Sequence, residues 1–238
     1  MQLLSNDKLA RQILKRIIDD YKADTKPFDG KWHVYDMLFP RKTYGCKLYG
    51  CESTREDIGF FFLGKAVHRE MQRILGIEQA EVKGEKFGIV GTMDFKGKRS
   101  FEIKSSRKWT IPDAPPSYHI QQAGYYALIH DLDEVEILVV YPTSGRTWKG
   151  TKSSTVEVRD WTLVLSKSDK KKIEYDLLRT KEELEKALKK KSPSRLPPAP
   201  SWAIERFKGK VDDGGFKKYS REAEKHPFYY AWQEKHWL

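Results

Sequence analysis

Cysteine is nearly absent from this chain: 238 residues contain two, Cys46 and Cys51. Two thiols supply neither a disulfide framework nor a four-thiolate metal site, and both are expected to be reduced. Long apolar runs are missing as well. No stretch approaches the roughly 20 apolar residues that a membrane-crossing helix needs. Residues 1–21 are too densely charged for a secretory leader. A soluble, cytoplasmic protein without a membrane partner is expected. Internal repeats are lacking too, which excludes a solenoid. Acidic excess is the last absence, since 45 Lys and Arg face 34 Asp and Glu for a formal net charge of +11. That balance points to a polyanionic partner, nucleic acid being the commonest, although a basic surface also serves solubility alone.

What is present is enough for one sizeable core: 39% of the residues are hydrophobic, and many recur with clear periods. Helical spacing is found over 6–22 (Leu9, Ile13, Leu14, Ile17, Ile18, Tyr21, with Ser5 or Asn6 as cap). It returns over 57–76, where Phe60, Leu63, Val67, Met71 and Ile74 form one apolar face and Gly76 stops the helix. Two more helices are predicted over 117–129 and 170–191, the second with Ile173, Leu177, Leu184 and Leu188 on one face. Strands are predicted over 80–86, 88–95, 99–105, 135–141 and 156–165. Residues 26–30 read as a turn, and an irregular, aromatic-rich stretch runs on to about residue 56. Pro193, Pro197, Pro198 and Pro200 then mark a stiff linker or surface strap. Two parts are therefore expected: a core over 1–191 and a C-terminal segment over 192–238. In that segment Trp202, Tyr229 and Trp232 are among many rings interleaved with lysines such as Lys208 and Lys217. Such rings stack unpaired bases or pack into a small core of their own. The element order predicts an α/β fold, a mixed sheet flanked by helices.

Chemistry concentrates in two neighbouring strands. Gly91-Thr92-Met93-Asp94 is followed by Phe101-Glu102-Ile103-Lys104. Glu102 and Lys104 are two apart and so share one face of their strand, with Phe101 and Ile103 on the other. A hairpin between the strands would bring Asp94 beside Glu102. Two carboxylates offer hard oxygen ligands to Mg²⁺ or Mn²⁺. The lysine can position or deprotonate an attacking water, or counter phosphate charge. An alternating-charge surface hairpin would also produce D…E-x-K, so context decides. His68 in the preceding helix is a further ligand type for such a metal, or else an ordinary half-buried histidine. In the helix that follows, Gln122 and Tyr126 share one face, and Gln121 and Tyr125 offer the same spacing one step round.

Taken together, G-x-x-x-H on a helix, G-x-x-D and E-x-K on strands, and Q-x-x-x-Y on a helix resemble the RecB-like nucleases of the PD-(D/E)XK superfamily. The likeness is strongest to the CRISPR-associated exonucleases of that group and their archaeal viral relatives, and it runs over about 34–196. It implies a restriction-endonuclease-like fold, a central mixed β-sheet flanked by α-helices. It also implies a metal site at His68, Asp94, Glu102 and Ile103 that takes Mg²⁺ or Mn²⁺. The catalytic set it implies is Asp94, Glu102, Lys104, Gln122 and Tyr126. The implied activity is hydrolysis of phosphodiester bonds in DNA, in single strands or at free ends. Many members hold an iron–sulfur cluster on four cysteines. This chain has Phe39 where the first would stand and no cysteine after Cys51, so no cluster is expected. Two alternatives remain open: a site- or structure-specific endonuclease of the same superfamily, and a nucleic-acid-binding module without catalysis.

Overall fold

In the computed structural model, residues 7–24, 30–50, 55–77, 81–106, 111–148 and 151–197 are described. The Ser5 or Asn6 cap and the aromatic–basic segment after Pro200 lie outside these residues. The elements run α1 (Asp7–Asp24), β1 (Trp32–His33), α2 (Val34–Leu38), α3 (Pro40–Tyr49), α4 (Arg55–Ile74), β2 (Val82–Lys86), β3 (Ile89–Met93) and β4 (Phe101–Ser105), then α5 (Ser117–His130), β5 (Glu134–Trp148), β6 (Thr151–Val164) and α6 (Lys167–Lys190). The fold is α/β, with mixed sheets flanked by helices. No helix among the described residues is long and apolar enough to cross a membrane.

The strands form two three-stranded sheets where one central sheet is predicted. The first has the order β1-β3-β2 and the second β4-β5-β6. Each is mixed: β1 runs parallel to β3 and β2 antiparallel, while β4 runs parallel to β5 and β6 antiparallel. Strands β2 and β3 meet in a two-residue turn at Phe87 and Gly88, both with positive φ (57° and 68°). That pair of left-handed residues is the hairpin geometry that matches strand twist. Between the sheets, Phe95 and Phe101 form an isolated antiparallel bridge.

Helix α5 lies against β2 and β3 of one sheet and β5 and β6 of the other. It is buried almost all round from Ala123 to His130. Its approach to β3 depends on Gly91, because a Cβ there would stand 3.0 Å from both Ile129 Cδ1 and Tyr126 Cδ1. Gly91→Val is accordingly expected to lower unfolding free energy by about 1–3 kcal/mol through overpacking. Urea unfolding measures this, and unchanged stability would show slack between β3 and α5. Helix α6 covers α5 with Leu177 and Leu184 fully buried. It begins at Lys167, three residues before the predicted start. Ser166 Oγ accepts from Asp169 N at 3.1 Å, while Ser166 N donates to Asp169 Oδ2 at 3.0 Å, so the cap is reciprocal.

Other departures have local causes. The stretch predicted as irregular holds β1, α2 and α3. Asp36 accepts from His33 N at 2.9 Å, and Pro40 opens α3, where a missing N–H costs nothing. Arg41 in α3 donates to the carbonyls of Pro197 and Leu196 at 2.7 and 2.9 Å. Leu196 is buried in the core cluster, so the start of the proline-rich segment is strapped to the body. Strands β5 and β6 extend past their predicted ends, with a register shift between Tyr141 and Ser144. In α4, Leu63 and Ile74 are exposed. The inward stripe keeps Met71 of the predicted face, which packs on Phe101, Ile103 and Leu138, and adds Gly64, beside Ser105. In α1, Ile13 and Leu14 are exposed, and the helix meets α4 through an edge contact of Tyr21 with Phe61. Cys46 is disulfide-bonded, which corrects the expectation of reduced thiols; Cys51 lies outside the described residues.

Candidate active site

The acid pair straddles the seam between the two sheets. Asp94 follows the last residue of β3 and Glu102 is the second residue of β4. The Phe95–Phe101 bridge holds these strand ends together. Asp94 Oδ2 accepts from Ile103 N at 2.7 Å, which ties the first carboxylate to the backbone of the second strand. Ile103 itself is a fully buried side chain. An isoleucine can offer a metal only its main-chain carbonyl.

His68 arrives from α4. Its position four residues after Gly64 and three before Met71 places it on the stripe that faces β4. His68 Nδ1 lies 3.3 Å from Asp94 Oδ1. Burial acts to raise the Asp94 carboxyl. The His68 hydrogen bond, the nearby charges of His68 and Lys104, and the Ile103 N–H outweigh burial and hold it below the usual aspartate range.

Glu102 is 2% exposed. Its Oε1 accepts from Lys104 Nζ, and its Oε2 is buried with no hydrogen-bond partner among the described residues. Burial, assisted by the Asp94 charge and opposed by Lys104, pushes the Glu102 carboxyl up to about 7. Desolvation alone would lower Lys104, but the Glu102 and Asp94 charges prevail and raise it. Lys104 is therefore an ammonium ion here. It suits countering negative charge better than taking a proton.

The two glutamine–tyrosine pairs of α5 separate cleanly. Gln121 Nε2 donates to Tyr125 Oη at 2.7 Å, and Tyr125 Oη donates to Asp176 of α6 at 2.9 Å. That pair faces α6. Gln122 Nε2 donates to Tyr126 Oη at 2.9 Å. Tyr126 lies against Gly91 and feels the charges of Glu102 and Asp94. Burial first, and those charges next, push its phenol well up, so it remains a hydrogen-bond donor.

His68, Asp94, Glu102, Lys104, Gln122 and Tyr126 thus come together from α4, β3, β4 and α5. Among the described residues no three His, Cys, Asp or Glu side chains converge closely enough to hold an ion as they stand. The donor chemistry nonetheless fits a hard divalent cation. Two carboxylates and an imidazole are to hand, and one carboxylate oxygen is buried without a partner. Sequence reasoning missed Tyr118, whose hydroxyl is electrostatically coupled to Lys104. Its signal was its place four residues before Gln122, on the same face of α5.

No protein-family model and no curated protein matches the chain. Among solved structures, the crystal structure of SSO0001 aligns with a TM-score of 0.46 and 14% identity, over 72% of this chain and 86% of that one. An alkaline exonuclease, LHK-Exo from Laribacter hongkongensis, aligns with a TM-score of 0.45 and 15% identity, over 67% of this chain and 90% of that one. Both are likenesses of architecture at a coarse level, and neither bears on chemistry.

Proposed function

We propose that this protein is a metal-dependent DNA nuclease that acts on single strands or free ends. The observation that carries the reading is the buried Glu102, with one oxygen unpartnered and the other on Lys104, directly across the sheet seam from Asp94. A buried carboxylate left half-satisfied is costly for structure alone and useful for binding a cation.

In this reading His68, Asp94, Glu102 and the Ile103 carbonyl would hold Mg²⁺ or Mn²⁺, which would supply Lewis acidity to a phosphoryl oxygen and to a water. The protein's own groups do the rest. His68 and Ile103 N–H fix the Asp94 carboxylate. Lys104, released from Glu102, presents an ammonium to the scissile phosphate and stabilises charge that develops there. Gln122 orients the Tyr126 hydroxyl, which donates into the same space. The formal charge of +11 attracts the polyanion. No iron–sulfur cluster forms part of this reading. End-labelled single-stranded DNA should be degraded with Mg²⁺ or Mn²⁺ while closed circles persist. Equal nicking of closed circles would favour an endonuclease, and no cleavage of either would leave a binding module.

A further inference from the structure

Three aromatic side chains form a row at the surface. The ring centroids of Tyr35 and Phe39 are 5.0 Å apart, and those of Phe39 and Tyr118 are 6.0 Å apart. The rings are tilted against one another by 55° and 54°. Tyr35 is 49% exposed and Tyr118 is 36% exposed. Lys42 Nζ donates to the Tyr35 hydroxyl at 2.8 Å and sits 4.9 Å from its ring centroid, which adds a cation to the row.

The row is continuous with the acid site. Tyr118, Gln122 and Tyr126 follow one another at four-residue spacing along one face of α5. Eight residues of helix span roughly 12 Å. One end of this stripe is Tyr126, near Glu102 and Asp94. The other is Tyr118, in ring contact with Phe39. A path of that length accommodates a scissile phosphate at one end and neighbouring nucleotides at the other.

We propose that Tyr35, Phe39 and Tyr118 form a stacking platform for unpaired bases of a DNA strand whose adjoining phosphate lies at Lys104. The proposal deepens the nuclease reading and rests on it for the position of that phosphate. Flat π faces at a cationic surface take bases of any identity. Bases inside a duplex are already stacked and have no free face to offer, so the platform selects frayed ends and single strands. Lys42 supplies charge for the sugar–phosphate backbone beside it.

The test compares full-length wild-type protein with Tyr35→Ala, Tyr118→Ala, Tyr118→Leu and Tyr118→Phe, in EDTA and at one salt concentration. Fluorescence anisotropy follows binding to oligothymidylate, to an abasic oligonucleotide of equal length and to a blunt duplex, with gels confirming intact probes. The alanine and leucine variants should bind oligothymidylate about 5- to 100-fold more weakly. Tyr118→Phe should keep wild-type affinity, and binding of the abasic strand and the duplex should not change. Tyr118→Leu fills the site without a π face, so the result does not depend on alanine variants alone. Unchanged oligothymidylate affinity in the alanine variants, or equal losses on the abasic strand, would overturn the proposal. Wild-type digestion with Mg²⁺ is measured separately. Digestion with indifferent platform variants sinks the platform alone. Platform behaviour without digestion sinks the nuclease reading alone.

Discussion

Asp94→Ala, Glu102→Ala and Lys104→Ala should each slow DNA cleavage by on the order of 10³-fold or more, as expected for groups aimed at charge in the transition state. DNA affinity should change little, because binding is spread over many of the 45 basic residues. Stability and activity separate in an informative way. Lys104→Ala strands Glu102 in the interior without its ammonium partner. Removing one member of a buried ion pair costs on the order of 3 kcal/mol. Glu102→Gln keeps the shape and a hydrogen-bonding group, so it should lose cleavage with a smaller drop in stability. Single-turnover cleavage, anisotropy binding and urea unfolding on the same preparations distinguish these effects. Wild-type turnover in Lys104→Ala would show that the active site lies elsewhere.

Divalent metal is expected to act on the fold as well as on the reaction. Excess chelator should abolish cleavage, and Mg²⁺ or Mn²⁺ should restore it. A ligand at 100 times its Kd stabilises by about 2.7 kcal/mol, which for a domain of this size is a rise in Tm of roughly 5–10 °C. The rise should vanish in Asp94→Asn and Glu102→Gln, since each removes a charged oxygen from the proposed donor set. Thermal melts with and without Mn²⁺ read this without reference to catalysis. Full activity in excess chelator, or metal-induced shifts in the two variants as large as in the wild type, would contradict the proposed metal role.

Much of the architecture is legible in the sequence because its signals are local. The long periodic helices α4, α5 and α6 and the apolar run of β5 announce themselves by spacing. The acid-bearing strands do so by alternation, Glu102 and Lys104 against Phe101 and Ile103. Helices α2 and α3 are illegible because α2 is only five residues long and α3 is tied to distant partners. Arg41 reaches the carbonyls of Leu196 and Pro197, more than 150 residues away. The inward face of α4 is legible at Met71 but not at Gly64, which carries no apolar signal although its small size admits β4. Both glutamine–tyrosine pairs of α5 fit a helix equally well. Only the packing of Tyr126 on Gly91 and of Tyr125 on Asp176 distinguishes them. The division into two sheets follows from β3 pairing with β1 and β2 while β4 pairs with β5, a partition that no spacing records.

That division has a mechanical corollary. Asp94 rides on one sheet and Glu102 on the other, and they are coupled through the Phe95–Phe101 bridge and the Asp94–Ile103 hydrogen bond. The gap between the two carboxylates is therefore an angular coordinate of the whole body, set by how far one sheet is rotated against the other. Helix α5, pressed on strands of both, is the brace that fixes this angle. Substitutions along the buried side of α5, remote from any reacting atom, would retune the gap as turning a screw resets the jaws of a calliper.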